Sequence, residues 1–318
     1  LTKKEIEYVR TFRDGLVQFE IGVQSTNPDT IQAIHRKMDL DRLKENVAMV
    51  HQERNIHQHL DLIAGLPYED LQSFHRSFND VYAMQPDQLQ LGFLKVLKGS
   101  PMHRMAKEYG IQYHSKPPYE VLSTTWLPYE DVRTLKEIEE VVERYYNSLQ
   151  FESSLRYLVE QEQDAFAFFE KLALFFTQNG YFNVKQSRMQ NYEILYAFAK
   201  KEQRNVDIVK ELLIYDLYAR ENVKKEPDFL ENRMLTEEKK EKLRAFYQSE
   251  AQREKYLPDY PDYNWKQVMR MTHMEWFSYD IVQYLQDEIL HEKKTLVLFD
   301  YQKRNPLSYQ AKVQIVRE

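Results

Sequence analysis

Three runs with strand patterning, each closed by a turn and followed by a helical pattern, constrain this chain more than any other feature. In the first, Val17 to Gln24, polar and apolar residues alternate. Gln18, Glu20, Gly22 and Gln24 share one face, and Val17, Phe19, Ile21 and Val23 share the other. The second runs from Ile56 to about Ala64, puts His57, His59, Asp61 and Ile63 on one face, and breaks at Gly65-Leu66-Pro67. The third runs from Gln88 to Leu97 and ends in Lys98-Gly99-Ser100-Pro101. A helix over 4–13, closed by Asp14-Gly15, precedes them. Between the first two, Asn27 as cap and Pro28 at the first helical position open a helix that ends near Arg36-Lys37, and a second covers 41–54. Another follows at 69–83, and a short one reaches Tyr109. Strands alternating with helices predict parallel βα units with right-handed crossovers. Three such units make half a barrel or a short open sheet.

After Pro117-Pro118 the pattern changes. Glu120 to Pro128 reads as one last extended segment. From Tyr129 to about Asn222 the chain is helical, with Val132, Leu135, Ile138, Val141, Val142 and Tyr145 at helical spacing. Further helices fit 152–161, 163–179, 189–202 and 205–221, and the stripe Phe166, Phe168, Phe169, Phe175, Phe176 reads as core. Lys224–Asn232, charged and containing a proline, reads as a linker. A charged helix at 236–255 shows a solvated face at Glu237–Lys242, and a loop rich in Tyr, Pro and Asp covers 256–263. Strands at 268–278, 295–301 and 311–316 and a helix near 280–291 complete the chain. The expected fold class is α/β followed by α: a partial parallel (βα) barrel, then a mainly helical C-terminal region with a few short strands. The expected domains are 1–128, a helical accessory domain at 129–232, and a mixed segment at 233–318.

Composition removes several classes of function. A net charge of −6 without a basic stripe argues against general nucleic-acid binding. No apolar run approaches the ~20 residues a membrane helix needs. Leu1-Thr2-Lys3-Lys4-Glu5 leads into an amphipathic helix, not a signal sequence, so the expected location is the cytoplasm. There is no cysteine, which excludes disulfides, thiolate zinc, cysteine nucleophiles and iron–sulfur ligation within this chain.

Polar side chains on a strand are costly to bury unless their face lines a site. Here the polar face is either the lumen of a half-barrel or the solvated face of an open sheet. In a parallel barrel, function sits at the C-terminal strand ends. Gln24, Asp61, Lys95 and Lys98 lie near those ends, and Glu20, His57 and His59 lie deeper. His57, His59, Lys95 and Lys98 are candidate substrate contacts, the lysines for a phosphate or carboxylate. His57-x-His59 with Asp61 is a metal-ligand set in type, but three ligands on one strand converge poorly on one ion, and no metal is expected. His273-x-Glu275 reads as a solvated strand face.

Gly22-Val23-Gln24-Ser25, then Pro28-Asp29-Thr30-Ile31-Gln32-Ala33-Ile34-His35-Arg36, then Asp61-Leu62-Ile63-Ala64-Gly65-Leu66-Pro67 resembles the radical S-adenosylmethionine (SAM) superfamily. The nearest pattern is the branch with oxygen-independent coproporphyrinogen oxidase and the catalytic subunit of Elongator. The resemblance covers about residues 15–105. It implies that Gln24 lies in the SAM site, that Arg36 meets the methionyl carboxylate and that Asp61 meets the ribose, with Glu20 as a further cofactor-binding residue. Residues from about 115, including Tyr119-Glu120-Val121-Leu122-Ser123-Thr124-Thr125-Trp126, are similar to a C-terminal domain of unknown function appended to cobalamin-binding radical SAM proteins of bacteria.

The cofactors so implied are SAM and a 4Fe–4S cluster in the intact protein, with cobalamin through an upstream domain. The Cys-x3-Cys-x2-Cys loop of such proteins is missing from this chain, so the resemblance implies the C-terminal fragment of a radical SAM oxidoreductase or methyltransferase-like enzyme, inactive alone. Its substrate is a small molecule of unknown identity, and self-association through the open barrel edge is expected. The alternative is a non-enzymatic helical binding module that carries a remnant half-barrel.

Overall fold

The computed structural model describes residues 1–317 apart from 224–226, 228 and 230–235. The expected linker, Lys224–Asn232, lies outside the described residues except for Pro227 and Phe229. The chain divides into two compact units, Leu1–Leu149 with Val159–Phe182, and Gln150–Leu158 with Asn183–Glu318.

The first unit is built on a parallel sheet. Helix α1 (Lys3–Val9) starts at a capping box between Thr2 and Glu5. Gly15 then takes φ +70°, and its N–H donates to Asn55 O at 2.9 Å, which turns the chain into β1 (Gln18–Gln24). Next come α2 (Pro28–Ala33), α3 (Leu40–His51), β2 (His57–Ala64), α4 (Leu71–Tyr82) and β3 (Gln88–Phe93). The sheet order is β1-β2-β3, with both pairings parallel. These are the expected βα units, and Asn27 and Pro28 start α2 as expected.

Helices cover one face of this sheet. Gln58, Leu60, Leu62 and Ala64 on that face of β2 are buried, and the Gln58 amide donates to Val47 O on α3 at 3.2 Å. Helix α4 packs on β2, and α6 (Tyr129–Tyr145) packs on β3. Helix α8 (Ala165–Gln178) lies against both α4 and α6. Its phenylalanines are core, as their spacing indicates: the Phe78 ring lies 5.6 Å from Phe166 and 5.7 Å from Phe169.

Several elements are shorter than the sequence suggests: α1 ends at Val9 and α2 at Ala33, and two strands are cut back by long-range contacts. β3 stops at Phe93, because Leu94 turns inward and exchanges backbone hydrogen bonds with Ala64 and Val121. Past the short helix α5 (Pro101–Met105), the extended stretch after Glu120 narrows to β5 (Val121–Ser123), paired antiparallel with β4 (Gln112–Tyr113). This hairpin closes over the end of β2. Gly65, at φ +88°, has no room for a Cβ, which would stand 2.8 Å from Val121 Cγ1.

The boundary between the units runs through α7 (Glu152–Glu162). In the second unit α9 (Arg188–Lys201) packs on α10 (Val206–Arg220). There follow α11 (Glu237–Gln248), α12 (Glu250–Tyr256), α13 (Trp265–Met271), β6 (Thr272–Tyr279), α14 (Ile281–Asp287), β7 (Glu292–Asp300) and β8 (Lys312–Val316). The strands form an antiparallel sheet, β6-β7-β8. Tyr215 of α10 meets Phe277 and Phe299 on one of its faces. Leu243, Phe246, Tyr256 and Val268 of α11–α13 gather with Met274 and Leu298 on the other.

The single charged helix expected at 236–255 is two helices, because Ser249 ends α11 and its side chain caps α12 at Gln252 N–H. The strand expected from 268 begins at Thr272, because an Asn264–Gln267 capping box makes 265–271 helical. No helix of the described residues is long and apolar enough to cross a membrane.

Candidate functional site

The face of the parallel sheet turned away from α3 and α4 carries the polar alternation. Strand register sets two rows across it. Glu20 stands beside His59, which stands beside Gln88; Gly22 stands beside Asp61, which stands beside Gln90. His57, His59, Asp61 and Ile63 on this face are half-buried, whereas the opposite side of β2 is fully buried.

At the C-terminal end of β1 the register slips between Gly22 and Gln24, leaving one extra residue opposite β2. Such a bulge bends the strand and re-aims the residue beyond it. Gln24 sits at φ +73°, in the left-handed region that a non-glycine residue rarely takes. Its side chain returns over Gly22. A Cβ on Gly22 would stand 2.7 Å from Gln24 Nε2 and 3.6 Å from Arg36 Nη1. Arg36 reaches this point because α2 ends in a reversal: His35 has φ +56°, and Arg36 N–H donates to Ile31 O at 3.0 Å. The guanidinium then donates from Nη2 to Gly22 O at 2.8 Å. Gly22 is therefore the floor that both Gln24 and Arg36 approach, with Asp61 as its neighbour on β2.

Asp61 is the residue on this face with an unmet need. Its Oδ1 is buried and has no hydrogen-bond partner among the described residues. Burial pushes its carboxyl above the ordinary value, and the negative charge of Glu20 adds to the shift. Deeper on the face, His59 Nε2 and His57 Nδ1 are 2.7 Å apart, and His59 Nδ1 is 3.4 Å from the Gln18 amide. Burial and the neighbouring His57 lower the His59 pKa, which keeps its imidazole neutral at pH 7. No group of three or more His, Asp or Glu among the described residues is placed to hold a metal ion.

The loops at this end of the sheet are laced together. Asn27 Nδ2 donates to Tyr68 O at 2.8 Å and to Ser73 Oγ at 3.0 Å, and Thr30 Oγ1 donates to Pro67 O at 2.9 Å. Thr26, Ile31, His35, Arg36, Lys37 and Leu40 are among the residues around an open cleft of about 730 Å³. The other two candidates stand on the loop after β3. Lys95 is exposed, with its backbone bridged to Glu120; Lys98 is exposed, with Nζ 5.6 Å from the centre of the Tyr119 ring. Neither makes a hydrogen bond to Asp61 or Arg36.

The structure thus brings Gln24 and Arg36 each to Gly22, places Asp61 beside that glycine on β2, and leaves Lys95 and Lys98 apart. Sequence reasoning named the first three and missed the roles of Gly22, Gln90 and Glu69. For Gly22 a signal was present, since glycine inside a strand marks a close approach or a bulge. For Gln90 only the register reveals the row it completes. Glu69, in the loop before α4, is 1% exposed and bonded to two serines, which local pattern does not foretell.

Coproporphyrinogen III oxidase (HemN) from Escherichia coli, described as a radical SAM enzyme, is a similar solved structure: TM-score 0.33, 19% identity, over 45% of this chain and 29% of that one. This chain thus spans well under a third of that enzyme's length. No curated protein matches the sequence. Residues 107–299, more than half of the chain, match the family described as "Protein of unknown function (DUF4080)", and the chain belongs to that family.

Proposed function

We propose that this chain is the SAM-holding part of a radical SAM enzyme together with its accessory region. The observation that carries the reading is the arrangement around Gly22. A guanidinium and a carboxamide both approach a glycine floor, beside a carboxylate whose buried oxygen has no donor among the described residues. These groups match the polar ends of SAM. Arg36 can take a carboxylate through two N–H bonds. Asp61 accepts from a hydroxyl pair, and Gln24 both donates and accepts. The same three residues stand in the motifs that resemble the superfamily.

Residues 1–128 then contribute the last units of a (βα) barrel, and 129–318 supply the accessory region. SAM bound beside a reduced 4Fe–4S cluster supplies radical chemistry. Cysteine is absent, so none of these residues fits as a cluster ligand, and in this reading the thiolates come from outside these 318 residues. Within the chain, Arg36 and Gln24 orient the amino-acid end of SAM, Asp61 holds its ribose, and burial, with Glu20 beside it, raises the basicity of Asp61. The resemblance of 119–126 is what supports cobalamin in the same enzyme.

The test is isothermal titration of the chain with S-adenosylhomocysteine, which has the same polar ends as SAM. Weak saturable binding that is lost in both Arg36→Ala and Asp61→Ala is expected. Binding unchanged in both folded variants would overturn the assignment.

A further inference from the structure

The loop after β1 and the loop after β2 converge on one buried carboxyl. Ser25, next in chain to Gln24, donates its hydroxyl to Glu69 Oε1 at 2.6 Å, and Ser77 of α4 donates to the same oxygen at 3.1 Å. Each serine oxygen accepts in turn from the β1–α2 loop: Asn27 N–H reaches Ser25 Oγ at 3.0 Å, and Thr26 N–H reaches Ser77 Oγ at 3.0 Å. Glu69, Ser25 and Ser77 are 1%, 0% and 1% exposed. Glu69 Oε2 is buried with no partner among the described residues.

The charges around it do not neutralise it by contact. From its own loop and α4 the acting groups are Asp70 and Arg76. Asp80 of α4 already accepts from the Thr26 hydroxyl at 2.8 Å and pairs with Lys44 of α3 at 3.6 Å. Asp131 of α6 lies beyond Asp70 and is influenced by it. The β1–α2 loop presents only the hydroxyls and amides of Ser25, Thr26 and Asn27.

A neutral carboxyl here leaves one hydrogen bond unmade. An ionised one places charge on an oxygen that has no donor, a much larger cost, relieved only when water reaches it. We propose that Glu69 is a proton-operated clamp: protonated, it locks the loop that carries Gln24 onto the loop after β2, and ionised, it lets the two separate. Burial raises the Glu69 pKa to about 7, against the lowering by the hydroxyls of Ser25 and Ser77. With the loops apart, the carboxyl returns towards its ordinary value of 4.5. Opening therefore releases a proton between these two values. It becomes about tenfold easier for each pH unit from roughly 5 to 7, and no easier above 7. The clamp stands whether or not the chain binds SAM.

The experiment is hydrogen exchange of the full chain from pH 5 to 8, read in peptides covering 22–31 and 66–77 and corrected for the chemical rate. Protection in the wild type is expected to fall by about tenfold per unit up to pH 7 and then level off. Glu69→Gln is expected to show a flat profile. Ser77→Ala, which removes a hydroxyl that favours the ionised form, is expected to move the plateau to higher pH. A flat wild-type profile, the same slope in Glu69→Gln, or a plateau unmoved in Ser77→Ala would each overturn the clamp.

Discussion

Asp61 in the first unit and Asp216 in the second are both withdrawn from water, and their surroundings are opposite. Asp216 of α10 is 4% exposed and takes four donors: the N–H groups of Ser153 and Ser154 at 2.9 Å, and their hydroxyls at 2.7 and 2.6 Å. It caps the first turn of α7 from a distant helix, which is structural work. Asp61 has a buried oxygen with no donor among the described residues, and burial together with a second carboxylate, Glu20, raises its pKa. The two sheets differ in degree. β6-β7-β8 has apolar side chains on both faces, and His273, expected on a solvated face, instead stacks on Tyr218 of α10 at 3.7 Å, while β1-β2-β3 buries one face and keeps glutamine, histidine and carboxylate side chains on the other. A buried acid whose bonds are all made serves the fold, and one left wanting a donor calls for another account: a ligand at Asp61, a proton at Glu69.

The widest gap between the two acids should appear on truncation. Asp216→Ala strands four donors and should cost about 3 kcal/mol in urea unfolding. Asp61→Ala should cost much less, and a comparable loss there would erase the distinction. Despite its four donors, burial raises the Asp216 pKa to about 6. The folded state thus holds a proton that the unfolded state releases near pH 4. Its contribution to stability falls as pH rises from about 4 to 6 and is constant above that. In unfolding curves, the stability of the wild type relative to Asp216→Asn should fall as pH rises from about 4 to 6 and stay constant above that.

Ligand binding is the next largest effect. Arg36→Ala should weaken S-adenosylhomocysteine by ten- to a hundredfold, about 1.5–3 kcal/mol for a hydrogen bond to a charged group, with little change in unfolding midpoint. A matching loss from an Asp216 variant that is still folded would show the assay to be reporting on structure alone.

Gly22→Ala comes third. The new methyl group forces Gln24 Nε2 off the floor, so affinity should drop severalfold while stability changes by about 1 kcal/mol. The smallest effect belongs to Asp61→Asn. Removing a carboxylate that sits beside Glu20 should leave stability within about 0.5 kcal/mol, or raise it slightly at pH 8. A thermal scan reads this, and a clear loss would mean that Asp61 has a structural partner after all.

Much of the first unit could be read without coordinates. Alternation over 17–24 and 56–64, with Asn27-Pro28 and Gly65-Leu66-Pro67 as punctuation, is local information carried by a period of two and by residues with restricted backbones. The helices from 129 to 220 were legible because apolar side chains recur every third or fourth position. The reading failed where a non-local contact overrode propensity. β3 was extended to Leu97 because Leu94 and Val96 look like strand residues, yet they belong to the core with Val121. The break at Ser249 was missed because its flanking charges favour helix, while one serine side chain redirects the cap.

The sequence by itself determined the βα order, the helix starts of the first unit, the lack of a thiol and the residue types that face away from the helices, because each depends on neighbours a few positions apart. Only the tertiary structure decided that Arg36 would cross to Gly22 O, that Gln24 would fold back over the same glycine, and that Asp61 and Glu69 would each keep an oxygen without a partner. Those facts depend on strand register and on loops brought together from some forty positions apart, as Ser25 and Glu69 are. Desolvation, unlike periodicity, is set only once the whole unit has closed around the group.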